Sequence, residues 1–152
     1  MQTTTVRRAQ AADVEQVAQL FDLYRQFYLQ PPDLALALRF ISDRLANHQS
    51  VIFVASVHSE DLVGFTQLYP TFCSVSAAPI HVLYDLYVAQ NARRHGVAQA
   101  LIAVACEHSR KTGAVRLELS TAKTNVGAQA LYESLGWVRD EEFHRYSLGV
   151  DG

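Results

Sequence analysis

One strand–helix–strand run constrains the fold more than any other feature of the sequence. The apolar segment IHVLYDLYV (80–88) predicts a long strand, and VRLELS (115–120) alternates as a second strand. Between them, a helix ending near Gly113 is indicated by apolar residues at helical spacing, namely Val97, Leu101, Ile102 and Ala105. Two strands of one sheet that are joined through a helix run parallel, with a right-handed crossover. The run therefore predicts an α/β fold.

Further strands are indicated by short β-prone or apolar runs at 3–9, 50–57, 62–69 and 142–148. The runs at 50–57 and 62–69 flank a short turn and predict a hairpin, whereas the segment from Pro70 to Pro79 is expected to be a loop. Antiparallel neighbours beside one parallel crossover give a mixed sheet. Residues 1–152 are thus expected to form a single α/β (or α+β) domain, with about four helices flanking a central mixed sheet.

Capping residues indicate where the other helices begin. Asp13 precedes a helix that runs to about Tyr28, and Gln16, three residues later, completes a capping box. Asp33 is placed to cap a second helix. Asn125 opens a last helix, which Gly136 is expected to end.

Composition narrows the classes of function. A length of 152 residues suits one sizeable core, and 49% hydrophobic with 18% charged residues is typical of a globular protein. The net charge of −2 argues against a general nucleic-acid binder, and no apolar run approaches the ~20 residues of a membrane helix. Cys73 and Cys106 lack metal-ligand spacing, and the start of the chain lacks the apolar core of a signal peptide. We expect a cytoplasmic protein with no metal, membrane or nucleic-acid partner.

The densest positive cluster of the chain lies immediately before the helix that contains Val97. Arg93, Arg94 and His95 precede Gly96 there, although the chain as a whole is slightly acidic. A helix N-terminus presents unpaired N–H groups and attracts anions, and glycine lets a phosphate approach the backbone. This turn predicts a site for a phosphorylated cofactor; the alternative is a solvated loop. It lacks the Gly-Lys-Ser/Thr of a Walker loop and the three glycines of a dinucleotide fingerprint.

Two stretches carry a resemblance to a known family. LYVAQNARRHGVAQAL resembles the acetyl-coenzyme A motif of the GNAT N-acetyltransferases, Arg/Gln-x-x-Gly-x-Gly/Ala, matched by Arg93, Gly96 and Ala98. TNVGAQALYESLGW resembles the motif that follows it, an asparagine, a tyrosine seven residues on, and Leu-Gly-aromatic. The order of elements agrees over essentially the whole chain. The resemblance implies transfer of an acetyl group from acetyl-CoA to a primary amine of a small molecule or protein, by direct attack in a ternary complex.

The resemblance also implies which residues hold the coenzyme. Backbone groups of Leu86 and Val88 would pair with the pantetheine arm as one more strand would, and Asn125 would bond to the pantetheine region. Tyr132 would lie beside the sulfur. The pyrophosphate would be held by the residues of the basic turn (residues 93–98), namely Arg93, Arg94, His95, Gly96, Val97 and Ala98.

Tyr132 is the candidate general acid. Transfer from a thioester to an amine releases a thiolate of pKa about 8.5, which can accept a proton from a tyrosine of pKa near ~10. The position of Tyr132 on the apolar face of its helix fits a core residue equally well. Asn125 likewise fits a helix N-cap as well as a coenzyme contact.

Asp85 is the candidate base, because a carboxylate inside an apolar strand needs a reason. Several amine-acetylating relatives carry a glutamate immediately before this position, where this chain has Tyr84. Asp85 can act as a base through water, anchor the acceptor amine, or pair with an arginine such as Arg116. His81 and His95 are further candidates for proton transfer.

The acceptor amine is expected opposite the coenzyme, near the first two helices. Tyr24 and Tyr28 can line its wall, although a helical stripe of aromatic residues also fits a core. The first helices are loosely similar to those of the polyamine- and histone-acetylating branches. The acidic run at 140–142 can attract a cationic amine or simply be solvated.

Two other functions and a dimer stay open at this stage. The alternatives are a non-catalytic acyl-CoA-binding regulatory module and an interaction domain for a phosphorylated partner. A homodimer that pairs through the strand at 142–148 is a further hypothesis.

Overall fold

The computed structural model describes residues 3–151, and within them the chain has five strands and four α-helices. The strands are β1 (Thr5–Arg8), β2 (Val51–Ser56), β3 (Gly64–Cys73), β4 (Ala78–Val88) and β5 (Leu117–Glu118). The helices are α1 (Val14–Phe27), α2 (Leu34–Ala46), α3 (Val97–Lys111) and α4 (Val126–Ser134). The chain divides into two compact units, one up to Leu119 and one from Ser120 onward. No helix within residues 3–151 is long and apolar enough to cross a membrane.

The first unit is built on a five-stranded sheet in the order β1-β2-β3-β4-β5. The pairs β1–β2, β2–β3 and β3–β4 are antiparallel, whereas β4 and β5 are parallel. The chain passes through α3 between the two parallel strands. The predicted mixed sheet, the hairpin of β2 and β3 and the crossover are therefore confirmed.

Different helices pack against the two faces of the sheet. Ile52, Val54 and Phe65 belong to one buried cluster with side chains of α1 and α2. The ring of Phe53, which neighbours both Ile52 and Val54 in β2, lies 5.4 Å from that of His108 in α3. Since successive side chains of a strand point to opposite faces, α1 and α2 cover one face and α3 covers the other.

The expected loop from Pro70 to Pro79 is wrong, because β3 continues to Cys73 and β4 begins at Ala78. Pro70 pairs with His81, and Pro79 pairs with Phe72. Proline is tolerated in a strand where the ladder needs no N–H from it. The Pro79 carbonyl accepts a hydrogen bond from Val115 N at 2.9 Å, so the backbone of Pro79 faces β5 and its missing N–H removes no bond to β3.

The capping box expected at the start of α1 is also wrong. A short 3₁₀ turn precedes α1, and it is Gln10 N that donates to Asp13 Oδ2, at 2.7 Å. Asp13 accepts two further bonds from Arg7, at 2.7 and 2.8 Å, and its side chain does not cap α1. Gln16 instead accepts a bond from Leu62 N at 2.9 Å. The ion pair with Arg7, which comes from a different element, decides where this carboxylate bonds.

The other two predicted caps are confirmed. Asp33 Oδ1 accepts a hydrogen bond from Leu36 N at 3.0 Å at the start of α2. In the second unit, Asn125 Oδ1 accepts one from Ala128 N at 3.2 Å at the start of α4. Gly136 follows the end of α4 with a φ of 92°, a left-handed conformation that favours glycine.

The strand expected at 142–148 is wrong, since these residues form no strand. Asp140 accepts hydrogen bonds from the backbone N–H groups of Glu142 and Phe143, at 3.1 and 3.3 Å, which makes a turn where the strand was expected to begin. The side chains of Phe143, Tyr146 and Leu148 are all exposed. Without a buried face, the alternation of apolar residues in this segment has nothing to stabilise it as a strand.

Candidate active site

A β-bulge in β4 sets the geometry of the site. Gln67 of β3 pairs with Asp85, and the next residue, Leu68, pairs with Leu83, so Tyr84 is an extra residue without a partner in β3. A bulge of this kind shifts the phase of the strand by one residue. Backbone groups that would otherwise face β3 then face the opposite side.

Hydrogen bonds on both sides of the bulge locate this change of phase. Before the bulge, His81 N donates to Arg116 O at 3.1 Å, so odd-numbered residues of β4 face β5. After it, Ala89 N donates to Val63 O at 2.7 Å on the β3 side. Since hydrogen-bonded and non-bonded pairs alternate in an antiparallel ladder, the N–H and C=O groups of Leu86 and Val88 point away from β3.

Strand β5 does not reach these outward groups. Its pairing with β4 is limited to His81 with Leu117 and Val82 with Glu118, although a strand was expected over 115–120. Within residues 3–119, no strand pairs with Leu86 or Val88 on the side away from β3. We call these outward backbone groups of Leu86 and Val88 the open edge.

The basic turn follows directly after the open edge. Arg93 Nε donates to Val88 O at 2.8 Å, and its guanidinium carbon lies 5.4 Å from the centroid of the Tyr87 ring. These contacts direct a positive charge toward the end of the open edge. The side chains of Arg94 and His95 are exposed beside it.

The backbone of the basic turn leads into the N-terminus of α3. Arg94 and Gly96 have φ values of 66° and 79°, in the left-handed region that favours glycine. Gly96 O accepts the first helical bond, from Ala100 N at 3.0 Å. The N–H groups of Val97 and Ala98 belong to the first turn of α3, where an α-helix supplies no acceptor for them. The turn therefore combines free helical N–H groups with arginine side chains.

Asp85 is buried beside the bulge, with 2% of its surface exposed. Its Oδ2 accepts a hydrogen bond from Gln67 Nε2, and Gln67 Oε1 accepts one from Ser50 Oγ at 2.7 Å. Burial raises the pKa of Asp85 to about 6, while the hydrogen bond from Gln67 opposes that rise. Arg116 is not its partner, because Arg116 pairs with Glu118 at 2.8 Å. The ion-pair role considered for Asp85 with Arg116 is therefore wrong.

Four tyrosines near Asp85 are joined by contacts, and we call them the tyrosine cluster: Tyr24, Tyr28, Tyr69 and Tyr84. Tyr24 OH donates to Tyr84 O at 3.0 Å. The ring centroids of Tyr24 and Tyr28 are 5.2 Å apart, and those of Tyr69 and Tyr84 are 5.6 Å apart. Burial, and then the charge of Asp85, raise the pKa of Tyr24, Tyr28 and Tyr69, so these phenols stay neutral. The cluster therefore places apolar ring faces and neutral hydroxyl groups near the carboxyl group of Asp85.

Sequence reasoning placed Tyr24 and Tyr28 near the acceptor and missed Tyr69, Tyr84 and Gln67. Tyr69 ends the strand predicted at 62–69, next to Pro70, where the sequence predicts the start of a loop. Tyr84 joins the cluster because it is the extra residue of the bulge, and no local sequence signal marks that bulge. A buried glutamine opposite a buried aspartate also requires the register of β3 and β4, which is a tertiary property.

His81 and His95 differ in their surroundings. His81 Nδ1 lies 2.8 Å from Ser109 Oγ, which itself donates to Ala105 O at 2.9 Å, and burial lowers the pKa of His81. This buried bond to α3 gives His81 a structural partner. His95 is an exposed member of the basic turn.

The second unit carries the other two predicted site residues. Asn125 caps α4, and the ring of Tyr132 lies 5.9 Å from that of Trp137. Trp137 N donates to Tyr132 O at 3.0 Å, which closes the end of α4. Tyr132 is partly exposed.

Known proteins resemble this chain over most of its length. Residues 15–137 match the model of the acetyltransferase (GNAT) family. An uncharacterized N-acetyltransferase of Bacillus subtilis (strain 168), YhfO, is 43% identical over 95% of this chain and 97% of its own length. The aminoglycoside N(6')-acetyltransferase type 1 of Serratia marcescens is 30% identical over 69% of this chain and 75% of its own. A crystal structure of a probable acetyltransferase superposes with a TM-score of 0.90 and 39% identity, over 97% of this chain and 99% of that one.

Proposed function

The chain belongs to the GNAT family of acetyltransferases, and from this membership we propose how its own residues hold acetyl-CoA and an acceptor amine. The enzyme is an acetyl-CoA-dependent N-acetyltransferase, which transfers an acetyl group to an amine. Bound acetyl-CoA supplies the acetyl group as a thioester. The observation that carries the proposal is the open edge, which leads into a basic helix N-terminus.

The open edge is the proposed site of the pantetheine arm. That arm contains amide groups, and amides pair with unpaired backbone N–H and C=O groups as an added strand does. Leu86 offers its N–H and C=O and Val88 its N–H on one side of β4, whereas Val88 O already accepts the bond from Arg93. The outward N–H of Val88 is the proposed donor that would stabilise negative charge on the oxygen of the reacting carbonyl group.

The basic turn is the proposed site of the pyrophosphate. Free N–H groups and the dipole at the start of α3 favour an anion, and arginines add charge-assisted bonds. The contributing residues are Arg93, Arg94, His95, Gly96, Val97 and Ala98. Arg93 is already held in place by Val88 O and Tyr87, so little of its conformational entropy remains to be lost on binding.

Asp85 is the proposed base for the acceptor amine. A free aliphatic amine has a pKa near ~10.4 and must lose a proton before it attacks. With a pKa of about 6, Asp85 is ionised near neutral pH yet more basic than an ordinary carboxyl group. Tyr24 and Tyr28 are the proposed walls that guide the amine to it, since both rings lie within the field of Asp85.

Tyr132 is the proposed acid for the departing thiolate, and Asn125 a proposed contact to the pantetheine region. Support comes from the family motif, in which an asparagine and a tyrosine are separated by seven residues. Capping of α4 occupies one lone pair of Asn125 Oδ1 and leaves its amide N–H groups for a second partner.

We further propose a cytoplasmic enzyme that pairs as a homodimer. Cys73 and Cys106 are both free thiols, which fits a reducing compartment. Residues 142–148 expose apolar side chains without forming a strand, which fits pairing with a second copy. Sedimentation that shows only monomer at micromolar concentration would contradict the dimer.

The proposed function is tested by the melting temperature of the protein with saturating acetyl-CoA, compared with equal NADH and ATP. A ligand present at about 100 times its Kd adds roughly 2.7 kcal/mol of stability. We expect a shift with acetyl-CoA and none with NADH, followed by coenzyme A release in a screen of amines. No shift, or a shift without coenzyme A release for any amine, would contradict the proposal; the latter result would favour a non-catalytic acyl-CoA-binding module.

A further inference from the structure

Arg44 carries a positive charge that has no hydrogen-bond or ion-pair partner within the described residues. It lies in the last turn of α2, with its guanidinium carbon 4.5 Å from the centroid of the Phe40 ring. Its Nε is shielded from solvent and makes no hydrogen bond, and Arg44 forms none of the ion pairs found within residues 3–151. A buried donor on a charged group is costly to leave unpaired. This arrangement suits a ligand that supplies an acceptor.

Phe40 holds the guanidinium in a defined orientation. Its ring stacks on that of Phe21 at 5.2 Å, and Phe21 is buried in the core. An arginine fixed by stacking holds its donors in a rigid fork, and the two terminal nitrogens of Arg44, unlike Nε, are not shielded from solvent. Two such donors match the two oxygens of a carboxylate or a phosphate.

Tyr69 connects Arg44 to the tyrosine cluster. The charge of Asp85 adds to the effect of burial in raising the pKa of Tyr69, whereas the charge of Arg44 lowers it. The Tyr69 hydroxyl group is thus close enough to be affected by the charges of both Asp85 and Arg44. Contacts make the same connection, because Phe21, on which Phe40 stacks, also stacks on Tyr24 of the tyrosine cluster with ring centroids 6.1 Å apart. Arg44 is therefore joined to the cluster through Phe40 and Phe21.

We propose that the acceptor of this enzyme is an amine that also carries an oxyanion, which Arg44 binds while the amine faces Asp85. This rests on the proposed function and deepens it, because it names the class of acceptor. The oxyanion is a carboxylate, as in an amino acid, or a phosphate, as in an aminoalkyl phosphate. Polyamines and aminoglycosides lack such a group and leave Arg44 without a partner.

The test compares three sets of acceptors in a coenzyme A release assay. The sets are amino acids, the corresponding amino-acid amides, and aminoalkyl phosphates. We expect the wild type to prefer one of the two anionic sets over the amides, and the favoured set identifies the oxyanion. A wild type that acetylates amides or polyamines as well as it acetylates anionic amines would overturn the proposal and leave the acetyltransferase function intact.

Variants of α2 show whether Arg44 is responsible. Arg44→Ala should raise KM for the anionic acceptor by about 10-fold or more, with a much smaller change for the matching amide or for acetyl-CoA. Arg44→Lys keeps the charge without the paired donors and should recover part of the loss. Arg39→Ala, on the exposed part of the same helix, is the matched control and should change neither KM.

Direct binding separates this proposal from the proposed function. Calorimetry of the preferred anionic amine, with the protein saturated in coenzyme A, should show binding that Arg44→Ala weakens and Arg39→Ala does not. Equal loss for anionic and neutral acceptors in Arg44→Ala, at an unchanged melting temperature, would overturn the anion site. If Arg44→Ala fails to fold, the preference of the wild type and the behaviour of Arg44→Lys decide the question.

Discussion

Gln67 Nε2 donates a hydrogen bond to Asp85 Oδ2 inside the sheet, and neither residue has more than 2% of its surface exposed. Ser50 Oγ in turn donates to Gln67 Oε1, which fixes the orientation of the amide. A carboxyl group in these surroundings is held in one place with a raised pKa, and a single neutral donor limits that rise. The same hydrogen bond therefore links β3 to β4 and affects the pKa of the proposed base.

Asp85→Asn should lower kcat by about 100-fold or more if the carboxylate removes the proton of the amine. The side chain keeps its size, and its carbonyl oxygen can still accept the bond from Gln67. In the wild type, kcat/KM should rise with pH through the pKa of Asp85, about 6. Asparagine at this position should abolish that rise. Steady-state kinetics of both proteins from pH 5 to about 8 check this, and an unchanged rise in the variant would contradict the assignment.

The contribution of Asp85 to the free energy of unfolding should decrease as the pH rises toward neutrality. Burial raises the pKa of Asp85 to about 6 from the ordinary value of 3.8, so the folded state binds more protons than the unfolded state between these values. The stabilisation from Asp85 is therefore fully present below the pKa of the unfolded state and is lost above the pKa of the folded state. The difference is of the order of 3 kcal/mol, since one pKa unit is about 1.4 kcal/mol. Urea unfolding at pH 4 and pH 7 should show a difference that Asp85→Asn removes.

Arg93→Glu should weaken acetyl-CoA binding by about 10-fold to 100-fold. The change removes the bond to Val88 O and places a negative charge beside the proposed pyrophosphate site. Calorimetry with acetyl-CoA measures the effect. Arg110→Glu makes the same charge change near the other end of α3 and is the matched control, which should bind almost as the wild type does. Equal losses in both variants would indicate a general effect of net charge.

Tyr132→Phe should lower kcat by about 100-fold with little change in the affinity for acetyl-CoA. The ring contact to Trp137 does not need the hydroxyl group, so folding should be preserved. Tyr146→Phe, at an exposed position of the same unit, is the control. Turnover of Tyr132→Phe at the wild-type level would show that another group protonates the thiolate.

Hydrogen exchange should show an alternating pattern along the end of β4. The amide hydrogens of Asp85 and Tyr87 bond to β3 and should exchange slowly, because exchange requires the ladder to open. Addition of coenzyme A should slow exchange at Leu86 and Val88 more than at these neighbours. Exchange followed by NMR or mass spectrometry, with and without coenzyme A, measures the difference. Equal changes at all four amides would contradict pairing at the open edge.

Features that depend on residues close in sequence could be predicted from the sequence, whereas features that depend on tertiary contacts could not. The cap at Asp33, the end of α4 at Gly136 and the crossover through α3 depend on neighbouring residues and could be predicted. The bulge at Tyr84 and the pairing of Gln67 with Asp85 depend on how two strands align, which a single strand does not encode. The cap at Asp13 failed for the same reason, since Arg7 of β1 takes the carboxylate.

Pro70 has a consequence for the solubility of the protein. β2 pairs with β3 only as far as Leu68, so within residues 3–119 no strand covers this edge of the rest of β3, next to the exposed side chains of Phe72 and Val75. His81, which faces Pro70, directs its own N–H to Arg116, and the backbone of Pro70 accordingly faces the uncovered side. An edge of this kind is a template on which a second chain can aggregate, and proline withholds the donor that such a contact needs. The long hairpin can thus extend beyond the sheet with less risk of joining another molecule.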